Sequence, residues 1–386
     1  MKYIYLDNAA TSWPKPPQTI RAMAEYQENI GGSPGRSGHT LAIEAGRLVL
    51  EARMALADLF NVSAPVDIAL MKNATEALNV ATLCLLRPGD HVLTSGMEHN
   101  SVMRPLRYLE HTGVEVTQIP CSTRGELDPG DIAPHVKKNT RALYLTHASN
   151  VSGTIMPVKE AGEIARAHGL IFCVDVAQTA GAIPIDVMDM NIDLLAFTGH
   201  KSLFGPSGTG GLYVRRGLDP EISPLMMGGT GSRSEFEEQP DFMPDKFESG
   251  TPNTIGIAGL LAGVNFVQTE GVEAIRRKEE TLVSAFIDGV RELSGVTVYG
   301  PENTGARTSV VSFNIEGVEP SEAALAFDDE FGIMTRPGLH CAPSAHRTLG
   351  TFPTGTNRMS FGYFNTDDDV ATAIEAVHSI SRVGKK

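Results

Sequence analysis

The chain has 386 residues, with 46 Asp and Glu against 32 Lys and Arg, a formal net charge of -14, and 41% hydrophobic and 20% charged residues. That length exceeds one simple core and predicts two domains, while the acidic balance excludes general nucleic-acid binding and attraction to anionic membranes. Cys84, Cys121, Cys173 and Cys341 stand far apart with no Cys-x-x-Cys pair, so no zinc site, no other metal and no disulfide framework is expected.

Asp7 breaks the opening apolar run early, so no secretory leader is expected, and no apolar stretch reaches the length of a membrane span; the cytoplasm is the expected compartment. From residue 67 short β-rich runs alternate with amphipathic stretches. Strands are expected at 67–71, 91–94, 114–119, 142–146, 171–175, 194–198 and 208–214, and helices at 75–86, 101–111 and 158–168. Alternation of this kind predicts a mostly parallel sheet of seven strands covered on both faces. The segment 228–245 is rich in Gly, Ser, Glu and Pro and reads as a mobile loop. The apolar stretch 255–267 carries Gly256, Gly259 and Gly263 and reads as a tightly packed core helix. Beyond it a charged helix at 272–293, strands at 296–299, 309–314, 333–336 and 358–361, and helices at 321–331 and 367–383 form an α+β unit. The first residues are expected to return to that unit or to lie across the cleft. The expected division is a large domain at 16–258 and a small one made of 1–15 and 259–386.

Lys201 ends the string Thr198-Gly199-His200-Lys201 after an apolar strand, and Asp175 ends another, Leu170-Ile171-Phe172-Cys173-Val174. Strand ends in α/β sheets are where ligands bind. A lysine that forms a Schiff base and a carboxylate that keeps a pyridine nitrogen protonated are what pyridoxal phosphate requires. A lone surface lysine and a turn aspartate are the plainer readings of each taken singly. Asn73-Ala74-Thr75-Glu76 opens a helix, where Thr75 is the expected cap and the first free N–H groups face an anion. His99 follows another strand and is positioned to stack on a ring; alone, it reads as a loop histidine.

Taken together and in order, these strings resemble the cysteine desulfurase and selenocysteine lyase family, within the class-V aminotransferase group of fold-type I pyridoxal-phosphate enzymes. The resemblance runs almost end to end. It rests on Leu6-Asp7-Asn8-Ala9-Ala10-Thr11, Arg36-Ser37-Gly38-His39, Ala74-Thr75-Glu76, Glu98-His99-Asn100, Ser149-Asn150-Val151-Ser152-Gly153, Asp175-Val176-Ala177-Gln178, Thr198-Gly199-His200-Lys201, Glu248-Ser249-Gly250-Thr251-Pro252-Asn253 and Arg336-Pro337-Gly338-Leu339-His340-Cys341. It implies a large domain with a seven-stranded sheet and a smaller α+β domain. It implies that Lys201 carries pyridoxal phosphate, Asp175 pairs with the ring nitrogen, Gln178 with the ring hydroxyl, and His99 stacks on the ring. Ala74, Thr75, Thr198 and His200 are implied at the phosphate, joined by Thr251 from the partner of a homodimer. Asn150 is implied beside ring and substrate, Arg358 and Arg336 at the substrate carboxylate, with Asn8 and Arg36 nearby.

The same resemblance implies that L-cysteine, or L-selenocysteine, becomes L-alanine, with Lys201 taking the α-proton and Cys341 capturing sulfur as a persulfide for an acceptor protein or a reductant. Iron–sulfur cluster assembly is one pathway it implies. Cys341 sits between prolines and beside His340, a turn setting unlike the apolar surroundings of Cys84 and Cys173. A reactive thiol wants nearby cations, for which Arg336, His340 and His346 are the candidates. An aminotransferase or epimerase needs no such thiol. A dinucleotide site at Gly205–Gly211 is excluded because those glycines lead into a strand instead of a helix. A purely structural sulfur carrier would need neither Lys201 nor Cys341.

Overall fold

The computed structural model describes residues 3–35 and 37–383. In chain order the elements are β1 (Ile4–Tyr5), α1 (Pro17–Asn29), α2 (Thr40–Phe60), β2 (Ile68–Met71), α3 (Ala74–Leu83), β3 (His91–Ser95), α4 (Asn100–Glu110), β4 (Glu115–Ile119), β5 (Thr140–Thr146), α5 (Val158–Ala167), β6 (Ile171–Asp175), β7 (Leu194–Thr198) and β8 (Gly210–Val214). They continue with α6 (Thr254–Glu270), α7 (Val272–Arg291), β9 (Val296–Tyr299), β10 (Val310–Ile315), α8 (Pro320–Phe331), β11 (Ile333–Met334), β12 (Arg336–Gly338), α9 (Pro343–Leu349), β13 (Thr356–Ser360) and α10 (Asp367–Val383).

The seven expected strands form one sheet in the order β2-β8-β7-β6-β5-β3-β4. The run β7-β6-β5-β3-β4 is parallel, and β8 is antiparallel to both of its neighbours. Every residue of β3, β6, β7 and β8 is buried, as a sheet covered by helices on both faces demands. One face packs Phe60, Phe172, Phe197 and Leu260, the other Leu78, Leu106, Tyr144 and Leu212. Because β2 runs with β7 through the intervening β8, the carboxyl ends of β2, β7, β6, β5 and β3 all reach one edge, where crevices form.

The second body is an antiparallel sheet, β12-β13-β10-β9, backed by α7, α8 and α10. Its core holds Phe286, Phe313, Phe327 and Phe361, with ring centroids 5.3 to 6.1 Å apart. The chain's opening residues do return to this body: β1 pairs in parallel with β11, and Ile4 and Leu6 sit in its core. The strand expected at 333–336 is two strands in two sheets. Thr335 separates β11, which pairs with β1, from β12, which pairs with β13.

Two long elements were invisible to periodicity. Helix α2 exposes Leu41, Ile43, Leu50 and Met54 while burying Ala42, Ala45, Leu56 and Phe60, so apolar residues on both faces erase the one-sided stripe that marks a surface helix. Residue 258, the expected boundary, lies inside α6, whose Leu260 and Val264 belong to the large core. We propose that the bodies divide at Gly271, where α6 gives way to α7. The 228–245 segment contains no regular strand or helix, as expected of a loop, and the Gln239 side chain stitches it to Asp245, Lys246 and Ser249. Among the described residues no single helix is long and apolar enough to cross a membrane.

Candidate active site

The loops leaving the common sheet edge enclose, with Arg336, His340 and Arg358 of the second body, a cavity of about 200 Å³. Asp175 closes β6 and is 5% exposed, its Oδ1 accepting the Ala177 N–H at 2.9 Å. Burial raises its pKa, opposed by that bond and by the Lys201 charge. Lys201 follows the end of β7, and burial pushes its amine down to about 8, against the pull of Asp175. A buried carboxylate of this kind is stable only beside a cation, so a protonated ring nitrogen meets its requirement and the amine remains available to react.

The anion end departs from expectation in one detail. Asn73, not Thr75, caps α3: its Oδ1 accepts the Glu76 N–H at 2.9 Å, and the helix begins at Ala74. Asn73 has the extended backbone a cap requires, and a side chain at that position reaches the third turn amide. The N–H groups of Ala74 and Thr75 are thereby left at the open helix end, where an anion is favoured. The Thr75 hydroxyl lies 3.2 Å from that of Ser101, whose own hydroxyl is 2.5 Å from His99 Nδ1. Since His99 Nδ1 also accepts the Ser101 N–H at 3.1 Å, the ring proton sits on Nε2. Burial first, and then Lys201 and the arginines, lower the His99 pKa to about 4, so the ring is neutral, as a stacking group should be. Thr198 is buried at the end of β7. His200 also lines the cavity, and its buried Nδ1 has no partner among the described residues.

At the opposite end Arg358, on β13, is 1% exposed. Its Nη2 contacts Asp7 Oδ1 at 2.5 Å and its Nη1 donates to the Asn150 carbonyl at 3.1 Å. The Asn150 side chain in turn donates to the His340 carbonyl at 2.6 Å, and Gln178 Nε2 donates to the Ala9 carbonyl at 3.1 Å. Cys341 is exposed, and Arg336 Nη2 lies 3.6 Å from its Sγ. Of the three cations considered for this thiol, only Arg336 qualifies. His340 and His346 are buried, with rings 5.4 Å apart, and burial drives His340 well below its ordinary pKa and His346 to about 4. Both stay neutral and act as packing behind the loop. His340 and Cys341 take φ of 48° and 59°, a left-handed pair that costs energy in non-glycine residues. The loop is held there by the Asn150 bond and by the Asn100 N–H, which donates to the Cys341 carbonyl at 2.9 Å.

Of the expected residues, Asn8 and Thr251 stand outside the cavity lining, and Cys341 reaches it only through Arg336. The Asn8 side chain is consumed by structure: Nδ2 donates to the Tyr5 and Ser360 carbonyls, and Oδ1 accepts the Trp13 N–H. Thr251 is exposed and lines a separate groove of about 420 Å³ together with Arg53 and Glu248. Arg36 lies outside the described residues. Conversely, two acids gained no role from sequence. Asp7 binds Arg358, a pairing across 351 positions that no local pattern reveals. Glu98 is fully buried beside His99, accepts the Ser95 hydroxyl at 2.6 Å and the Thr146 N–H at 3.1 Å, and is pushed by burial up to about 8.

Known proteins share this fold and much of this sequence. The aminotransferase class-V family model matches residues 4–372. A probable cysteine desulfurase of Methanothermobacter thermautotrophicus is 36% identical over 389 aligned positions, covering 99% of this chain and 96% of that protein. A cysteine desulfurase of Haloferax volcanii is 32% identical, covering 97% of this chain and 88% of its own length. Among solved structures, the apo cysteine desulfurase of Thermococcus onnurineus NA1 superposes with a TM-score of 0.93 at 34% identity, covering 99% of this chain and 95% of that one. The Escherichia coli cysteine desulfurase CsdA, in its S-sulfonic acid form, gives 0.88 at 29% identity over 99% of this chain and 95% of its own. With its fold, its strand-end lysine and aspartate, and this similarity along nearly its whole length, the chain belongs to the class-V aminotransferase family and groups there with the cysteine desulfurases.

Proposed function

We propose that the protein is a pyridoxal-phosphate-dependent cysteine desulfurase that converts L-cysteine to L-alanine and keeps the sulfur as a persulfide on Cys341. The observation that carries the reading is one cavity lined by Lys201, Asp175, Arg358 and Arg336, with an exposed thiol 3.6 Å from that Arg336. The residues suit the cofactor. Asp175 offers a buried carboxylate, His200 an unpartnered buried nitrogen, and α3 an open N-terminus. When bound, pyridoxal phosphate supplies an electron-deficient ring that takes up the electron pair released at the substrate α-carbon.

The protein's own groups do the rest. Asp175 holds a proton on the ring nitrogen, Gln178 and Asn150 flank the ring hydroxyl, and His99 covers the ring face. Thr75, Ala74, Thr198 and His200 receive the phosphate, with Thr251 contributed by the partner of a homodimer; its exposure, away from this chain's own cavity, supports that assignment. Arg358 receives the substrate carboxylate through its planar fork, with Arg336 beside it. Lys201, whose amine titrates near 8, takes the α-proton as general base and returns it. The Cys341 thiolate attacks the substrate sulfur, so that an S–S bond forms, the C–S bond breaks and the carbon gains a proton. The balance is L-cysteine plus thiol giving L-alanine plus persulfide. A thiol reductant or an acceptor protein then removes the outer sulfur, in the cytoplasm, for uses such as iron–sulfur cluster assembly.

The test is to incubate purified holoenzyme with L-cysteine and a thiol reductant and to follow alanine and sulfide together. Equal release by the wild type, lost in Cys341→Ala while the cofactor absorption band persists, supports the reading. Equal activity in Cys341→Ala, or turnover of L-selenocysteine alone, refutes it.

A further inference from the structure

The carboxylate-binding arginine is already partnered. Arg358 lies within the four-stranded sheet, between β12 and β10, at 1% exposure, so its position is fixed. Asp7 meets Nη2 at 2.5 Å and the Asn150 carbonyl meets Nη1, while Nε–H is buried with no partner among the described residues. Two of the guanidinium's five N–H groups are thereby engaged, which leaves unpaired donors for a second carboxylate. Asp7 is also fixed. It bridges Ser360, its carbonyl accepts the Tyr5 hydroxyl at 3.2 Å and the Ala10 N–H at 3.0 Å, and it follows directly on β1 and Leu6. Its side chain keeps 20% exposure and stays at the guanidinium instead of turning to water.

We propose that Asp7 is a positioning counter-ion that competes with the ligand carboxylate for Arg358, so that its charge limits how tightly carboxylate-bearing substrate and product are held. A carboxylate entering this fork must share one cation with a carboxylate already paired to it, and like charges at one site repel. Asp7 thus holds the guanidinium in place when the site is vacant and lowers the affinity for the amino acid when it is filled, which favours release of alanine. Burial drives the Arg358 pKa down, and Asp7 is the largest influence holding it up, consistent with a cation that needs this partner. The identity of the ligand rests on the desulfurase reading; the occupied fork does not.

The experiment compares holoenzyme and Asp7→Asn, which keeps size and a hydrogen-bond oxygen but removes the charge. The probes are L-alanine and ethylamine, which lacks the carboxylate, each titrated by the change in cofactor absorption. Asp7→Asn should bind L-alanine about tenfold tighter, the size of one screened like-charge contact, with ethylamine unchanged. For L-cysteine, both KM and kcat should fall as product release slows. The ratio of the two affinities is decisive. A variant that folds poorly weakens both probes alike and leaves the ratio unchanged, and an unchanged ratio overturns the proposal, as does an equal gain on both. A wild type that neither responds to L-alanine nor turns over L-cysteine defeats the functional reading instead.

Discussion

Replacing Glu98 with Gln should raise the unfolding temperature at alkaline pH and leave it nearly unchanged near pH 5. Glu98 is 0% exposed, and burial lifts its pKa from 4.5 to about 8, opposed by the Ser95 and Thr146 hydrogen bonds. The folded state therefore binds the proton more tightly than the unfolded chain. The stability this provides is complete below pH 4.5 and is lost as pH rises to 8. At 1.36 kcal/mol per pH unit, the loss between pH 5 and pH 8.5 is about 4 kcal/mol. Glutamine, neutral in both states, does not suffer it, and its amide oxygen can accept the same two hydrogen bonds. With roughly 2.1 cal/mol/K of unfolding entropy per residue, 386 residues give about 0.8 kcal/mol/K, so the variant should gain about 5 °C over wild type at pH 8.5. Scanning calorimetry of both holoenzymes at the two pH values measures this. An equal difference at pH 5 and pH 8.5, or a variant that loses ground at pH 8.5, refutes the buried-acid argument.

The same sign holds for Glu279 on α7, which burial raises to about 7. Glu279→Gln should gain about 2–3 kcal/mol over wild type between pH 5 and pH 8, read from denaturant midpoints. The pH–rate profile should climb through about pH 8 as the Lys201 amine loses its proton, and a profile already flat from pH 6 removes Lys201 as the base. Arg336→Gln should cut kcat by roughly 10- to 100-fold, the worth of a charge-assisted contact to Cys341, with the cofactor band intact and alkylation of Cys341 slowed. Gly181→Ala should destabilise by about 1–3 kcal/mol or more: φ is +87° and a Cβ would lie 2.3 Å from the Ser202 carbonyl, next to Lys201. A thermal shift of the variant and its cofactor content report the two effects.

The local chemistry was legible in the sequence because it is local. Asp175 and Lys201 each follow a run of buried β-formers, and such runs announce both a strand and the place where it stops. The seven strands of the large sheet and the exposure of Cys341 against the burial of Cys84 and Cys173 came from the same kind of pattern. Helix α2 did not, because it carries apolar side chains on both faces.

What the tertiary structure alone decided are the relations between distant segments. Burial, not residue type, makes His340 and His346 neutral and leaves Arg336 as the cation at the thiol. The Asn73 cap is a local bond to the Glu76 N–H, whereas the packing of α3 against α4 is what sets the Thr75 hydroxyl beside that of Ser101. Asn8, which stands in a matching string, spends its side chain on backbone groups of Tyr5 and Ser360, while Asp7 beside it reaches Arg358. A pattern in sequence reports which face of an element is apolar. It carries no information on which buried charges meet across hundreds of residues, and the desolvation that sets their protonation exists only once the two bodies have closed around them.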